Sequence, residues 1–219
     1  MDLEQQIQSL LEKGDLQRAS SRADEGYGPE VFGLLVSLDR DTRDASEVFS
    51  QTCEDLWVGL ERFEGRCSMR TWLYTLARHA AARFRRSPHR RPGRRMALSQ
   101  VSEVADRVRT QTLPFLRTEA KSELARIREA LDEEDRALLV LRVDRGLSWN
   151  DIALVFAGDD ASKATLERTS ARLRKRFQAV KSEIRKRARE AGLLPSSQPA
   201  KSKRRAGPVS ARTPPGQGS

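Results

Sequence analysis

The sequence predicts an all-α protein, and three observations carry that expectation. Apolar residues recur at spacings of three and four along most of the chain. Alternating β-branched runs, the signature of strands, are absent. Gly14, Pro88 and Gly146 stand at the ends of periodic stretches.

A first helix is expected over residues 2–13, ending at Gly14, and a second after Pro29, carrying Val31, Leu34, Leu35 and Leu38. A third runs from Asp44 to Leu60. Phe49, Cys53, Leu56 and Leu60 make its apolar stripe, and Asp44, Glu47, Gln51 and Glu54 make an acidic and polar stripe on its other side. The fourth starts after Ser68, its N-cap, and ends before Pro88, with Met69, Leu73, Leu76, Ala80 and Phe84 as its buried face. The stretch SPHRRPGRR then breaks regularity.

A second helical block begins near Leu116. LRTEAKSELARIREAL reads as one helix and LDEEDRALLVLRVDRG as another, capped by Asp132 and ended by Gly146. SWNDIALVF is a short helix capped by Ser148. From Ser162, the stripe Leu166, Thr169, Leu173, Phe177, Val180 and Ile184 predicts one continuous helix to Glu190. The expected organisation is an N-terminal helical extension (1–28), a first domain (29–87), a linker (88–115), a second domain (116–193) and a disordered basic tail (194–219).

The net charge of +10 over 219 residues points to a polyanionic partner, nucleic acid before a membrane surface. No apolar run is long enough to span a bilayer, and the acidic N-terminus does not fit a signal peptide, so the expected location is the cytoplasm without membrane insertion. Cys53, Cys67, His79 and His89 lack metal-site spacing, so reduced thiols and no metal are expected. No phosphate-binding glycine loop, carboxylate pair or nucleophile motif is present. An enzyme is therefore not expected, nor a cofactor.

Between Arg66 and Arg95 there are ten arginines and no acid. Guanidinium groups stay charged and bind phosphate bidentately, and the rings of Trp72 and Tyr74 offer flat faces to an unstacked base. Ordinary core packing is the competing reading of each ring. In the second block a short helix precedes a very basic one bearing Arg172, Arg174, Lys175 and Arg176, the pattern of a helix-turn-helix. The competing reading, a solvated helix held by its own ion pairs, has few acids to draw on, with Glu183 and Glu190 alone after Arg168.

DASEVFSQTCEDLWVGLERFEGRCSMRTWLYTLARHAAARFRR resembles region 2 of a bacterial RNA polymerase sigma factor of the compact extracytoplasmic-function type. LDEEDRALLVLRVDRGLSWNDIA with LRKRFQAVKSEI resembles region 4. The resemblance implies a two-domain transcription initiation factor whose partners are core RNA polymerase and promoter DNA. An anti-sigma factor is a further partner that it allows.

The resemblance implies that Asp44, Glu47, Gln51 and Glu54 meet the polymerase. Arg66, Ser68, Arg70, Trp72, Tyr74, His79, Arg83, Arg85 and Arg86 would face the −10 element, and Arg172, Arg174, Lys175, Arg176 and Gln178 the −35 element. The chain departs from the family at Ser50, where Gln is common, and at His79, where Asn is common. It departs again in a longer stretch, Ala157 to Thr169, between the two helices of the helix-turn-helix. A helix starting at Ser162 would put about two extra turns, roughly 10 Å, ahead of the −35 residues, which implies a changed docking in a groove only about 8.5 Å deep. A stand-alone helix-turn-helix regulator is the alternative, which leaves the acidic stripe without a purpose, and an RNA-binding or scaffold protein using the arginine segment is a rival from another class.

Overall fold

The computed structural model describes residues 2–38, 41–86, 103–108, 110, 112 and 123–195. Most of the expected linker, the helix start at Leu116, Arg90, Arg91, Arg94, Arg95 and the tail beyond residue 195 lie outside the described residues. Among the described residues there is no strand, and the all-α expectation holds.

Helix α1 (Leu3–Glu12) is followed by α2 (Leu16–Leu38), α3 (Thr42–Gly59) and α4 (Met69–Arg86). Asp41 caps α3 by accepting from the Arg43 N–H at 2.8 Å, and Ser68 caps α4 by accepting from the Thr71 N–H at 3.1 Å. A single 3₁₀ turn, Leu60–Arg62, carries α3 toward the loop before α4.

One expectation is corrected here. α2 does not begin after Pro29 but runs through it. An interior proline forfeits a backbone hydrogen bond and crowds the preceding turn, at about 3 kcal/mol. Burial on both sides of it outweighs that cost: Ala19 and Ala23 before it, Val31, Phe32, Leu34, Leu35 and Leu38 after it. At Gly28, one residue earlier, a Cβ would stand only 3.2 Å from Phe49 and Val108, so glycine is what lets α2 approach α3 closely. Phe32 and Phe49 meet there with ring centroids 5.4 Å apart.

The C-terminal half comprises α5 (Glu123–Glu129), α6 (Glu133–Leu139), a π-helical turn (Val140–Asp144), α7 (Trp149–Ala157) and α8 (Lys163–Glu190). Asp132, Ser148 and Ser162 cap α6, α7 and α8 through the N–H groups of Asp135, Asp151 and Thr165. α8 spans the expected continuous helix. Leu173, Phe177 and Val180 face α7 and α6, and Trp149 meets Phe177 edge-on at 5.5 Å.

The two halves are not separate bodies in this structure. α4 packs against α7, and α2 against α6, so one contiguous apolar cluster runs from Ile7 to Val180.

Candidate polymerase and nucleic-acid interfaces

The outer face of α3 is acidic, as its spacing implies. Glu47 and Gln51 are exposed, while Asp44 and Glu54 are half-buried. Burial, then the neighbouring carboxylates of Asp55 and Glu47, raise the pKa of Glu54 above its ordinary value. Those neighbours show that the face concentrates negative charge. Asp55 belongs to it too, accepting from Gln51 at 3.2 Å and pairing with Arg83 of α4. Sequence spacing missed this residue because it lies between the two stripes.

α4 divides the expected −10 residues into three groups. Arg66, Ser68, His79 and Arg86 are exposed. Arg66 pairs with Glu64 at 2.6 Å, an exposed pair that exchanges readily with water. Arg83 and Arg85 are also at the surface but paired, Arg83 with Asp55 and Arg85 with Glu133 at 2.8 Å.

The third group is packed, with Arg70 half-buried and both rings buried. Arg70 makes a bidentate pair with Glu30, at 2.5 and 2.8 Å, and also donates to the Arg145 carbonyl at 3.0 Å. Tyr74 is fully buried, so in this arrangement its ring stacks on no base. Trp72 is 5% exposed, lies on the Phe63 ring at 4.8 Å, and donates its indole N–H to Asp159 at 3.1 Å. Core packing, the competing reading of both rings, describes them here.

The α7–α8 pair has helix-turn-helix form. Its turn is Gly158–Ser162, and α8 starts at Lys163. The part of Ala157 to Thr169 that follows Ser162 belongs to α8, as expected from its stripe. α8 therefore carries about two turns ahead of Arg172, the geometry from which a changed docking is expected. The N-terminal end of the second helix enters the groove. That end carries Lys163, Glu167 and Arg168, all exposed.

The expected −35 residues sit further along α8. Arg174, Lys175 and Gln178 are exposed. Arg172 pairs with Glu134 at 3.3 Å, and Arg176 pairs with Asp132 and Glu134, both at 2.7 Å, and with Asp135. The acids that were too few on α8 are supplied by α6. Part of the basic helix is therefore held by ion pairs, as the competing reading requires, but from a neighbouring helix rather than from its own turns.

Among the described residues no group of three or more His, Cys, Asp or Glu could hold a metal ion, and no helix is long and apolar enough to cross a membrane. Neither Cys53 nor Cys67 forms a disulfide among the described residues.

Residues 25–91 match the Sigma-70 region 2 family. The chain is 27% identical over 162 residues to the RNA polymerase sigma-H factor of Pseudomonas aeruginosa, covering 69% of this chain and 83% of that protein. It is 28% identical over 166 residues to the RNA polymerase sigma factor YlaC of Bacillus subtilis, covering 73% of this chain and 92% of that protein. The matched segment begins inside α2 and takes in α3 and α4, the helices that bear the acidic and the arginine-rich faces.

Proposed function

The chain is a compact RNA polymerase sigma factor, a transcription initiation factor, and from that premise we propose how its surfaces divide the work. The acidic face of α3, with Asp44, Glu47, Gln51, Glu54 and the added Asp55, binds a basic surface of core polymerase. The exposed side of α4 and the loop before it, with Arg66, Ser68, His79, Arg83, Arg85 and Arg86, follow the opened −10 strand. Arg70, Trp72 and Tyr74 join them only once the packing that buries them is released. The α7–α8 pair reads the −35 element through the first turns of α8, Lys163 and Arg168, with Arg172, Arg174, Lys175, Arg176 and Gln178 along the adjoining backbone. The factor adds no catalytic chemistry and acts with the polymerase in the cytoplasm.

The observation that carries this reading is the opposition of charge on adjacent helices. α3 offers carboxylates outward, α4 offers guanidinium groups, and the matched segment contains both. A stand-alone regulator has use for the second face and none for the first. The test is a pull-down with purified core polymerase followed by run-off transcription from a library of promoter fragments. Retention on the core and core-dependent transcripts support the reading. DNA binding without core retention overturns it in favour of the stand-alone regulator.

A further inference from the structure

α8 is longer than a helix that only enters a groove needs to be. Its 28 residues span about 42 Å at 1.5 Å per residue, and the major groove is about 12 Å wide. The surplus is the half beyond Val180. Residues 181–190 hold five cations and two acids.

This distal half is held firmly. Val180 and Ala188 are buried, Ile184 packs against the core, and α5 lies alongside with Ile127 buried. At its end the Leu193 N–H donates to the Ala188 carbonyl at 2.8 Å, and the Gly192 N–H to that of Arg189 at 3.0 Å, which closes the last turn. A fixed apolar face decides which side chains point away from it.

The exposed cations fall in register. Arg168, Lys175 and Lys186 are seven and eleven residues apart, close to two and three whole turns, so they line one edge of the rod, with Arg189 near it. Arg174 and Arg185, eleven apart, line a second edge beside the first. Both edges start among the residues proposed for the −35 element and run on into the distal half. Glu183 and Glu190, seven apart, share an edge to one side of this face, and Glu183 is paired with Arg187 at 2.7 Å.

Two simpler readings leave part of the pattern over. Cations in a last turn complement the helix dipole, which serves Arg187 and Arg189, but Arg185 and Lys186 stand before that turn. Ion pairs along a solvated helix would set acids four residues from a cation, yet Arg185 has Lys181 and Arg189 at that spacing. Like charges so placed destabilise a helix, and an anion laid along them removes the repulsion.

We propose that Arg185, Lys186 and Arg189 hold the phosphate backbone of duplex DNA flanking the −35 element, as a second, sequence-blind contact on the same helix. This rests on the −35 role proposed above for the α7–α8 pair. Lys186 stands 18 residues beyond Arg168, about 27 Å along the axis, so one groove cannot take both. Cations on an exposed face bind phosphate without reading bases. A duplex suits the two contacts better than a flexible polyanion, because a stiff partner meets both ends of a rod without first being ordered.

Holoenzyme on a promoter fragment is probed by phosphate-ethylation interference and by the salt dependence of binding. The wild type should show two sets of sensitive phosphates near −35, one among the bases that are read and one beyond them. Arg185→Ala with Lys186→Ala and Arg189→Ala should lose the second set alone. It should weaken binding roughly tenfold at low salt and flatten the log–log salt slope by about 0.9 per phosphate lost. Its melting temperature should match the wild type, since all three side chains are exposed. Arg185→Lys with Arg189→Lys should keep both sets, because charge rather than shape makes the contact. A wild-type pattern and slope in the triple variant overturn the proposal. So does a triple variant unchanged on DNA that no longer binds phosphatidylglycerol vesicles, which would assign the face to a membrane surface. No sensitive phosphate near −35 in the wild type refutes the −35 role of the pair, and this extension with it.

Discussion

Glu4 and Met69 lie 65 residues apart in the chain, yet Glu4 Oε1 accepts the Met69 backbone N–H at 2.5 Å. The other oxygen of the same carboxylate accepts the Tyr27 hydroxyl at 2.7 Å. One side chain of α1 thus satisfies an orphan donor at the start of α4 and ties it to α2. The negative charge also suits the positive end of the α4 dipole. α1 lies outside the family match, and the structure gives it a task within the matched domain.

Glu4→Ala should therefore cost about 1–2 kcal/mol, the worth of a cap with a charge-assisted hydrogen bond. The loss should fall on α4, so amide exchange at Met69 and Arg70 should rise before that of α3. Urea unfolding followed by exchange measured residue by residue checks both parts. A wild-type midpoint would remove the cap from the account.

Reversing charge on the outer face of α3 should abolish polymerase binding without unfolding the chain. In Glu47→Lys with Glu54→Lys, neither changed residue belongs to the apolar stripe of Val48, Phe49, Cys53 and Leu56. The melting temperature should stay close to the wild-type value, and competition for core polymerase should be lost. Unchanged competition would refute the polymerase assignment of this face.

The basic residues of α8 should separate by location. Lys163→Ala with Arg168→Ala should weaken binding at the −35 element. It should also flatten the log–log salt dependence by about 0.9 for each phosphate that the helix no longer neutralises. Arg176→Ala should act mainly on stability. Its removal leaves Asp132, Glu134 and Asp135 facing one another, at a cost of about 1 kcal/mol. Footprinting and thermal unfolding of the two variants distinguish the roles; the reverse pattern would return −35 recognition to the middle of α8.

Asp24 gives a pH signature. Burial, partly offset by the Cys53 thiol that donates to it and reinforced by nearby Glu25, pushes its carboxyl up from 3.8 to about 7. Between those values the unfolded chain has released the proton while the folded chain keeps it. This group's contribution to stability therefore falls as pH rises through the window and is level above about pH 7. Asp24→Asn should gain on the wild type progressively across that window. A difference in urea midpoint that is flat with pH would show that Asp24 is ionised in the fold.

Much of this was legible locally. The caps Ser68, Asp132, Ser148 and Ser162 act where the sequence puts them, and α8 follows its stripe from end to end. Helix faces and caps are set within a few residues, so periodicity finds them. Pro29 misled because a local cost was outweighed by burial against other helices. The partners of Arg176 were hidden because Asp132 is 44 residues away. The contact between α4 and the turn before α8 was hidden for the same reason: Trp72 and Asp159 are 87 residues apart, and no spacing rule reaches across that distance. Trp72 and Tyr74 stand out in the sequence as flat rings, but their burial depends on packing against residues distant in the chain.

Gly158 has φ +95°, a backbone conformation that residues with a side chain rarely adopt, and the His79 ring borders the space a side chain would need. It bears no charge and no hydrogen-bonding side chain, so a search for polar partners would pass it by. Genetically it should behave otherwise. Each missense change in its codon adds a side chain, at a strained backbone, to the turn where α7 and α8 meet α4. A random-mutagenesis screen for destabilised alleles should recover this codon alongside those of the apolar core.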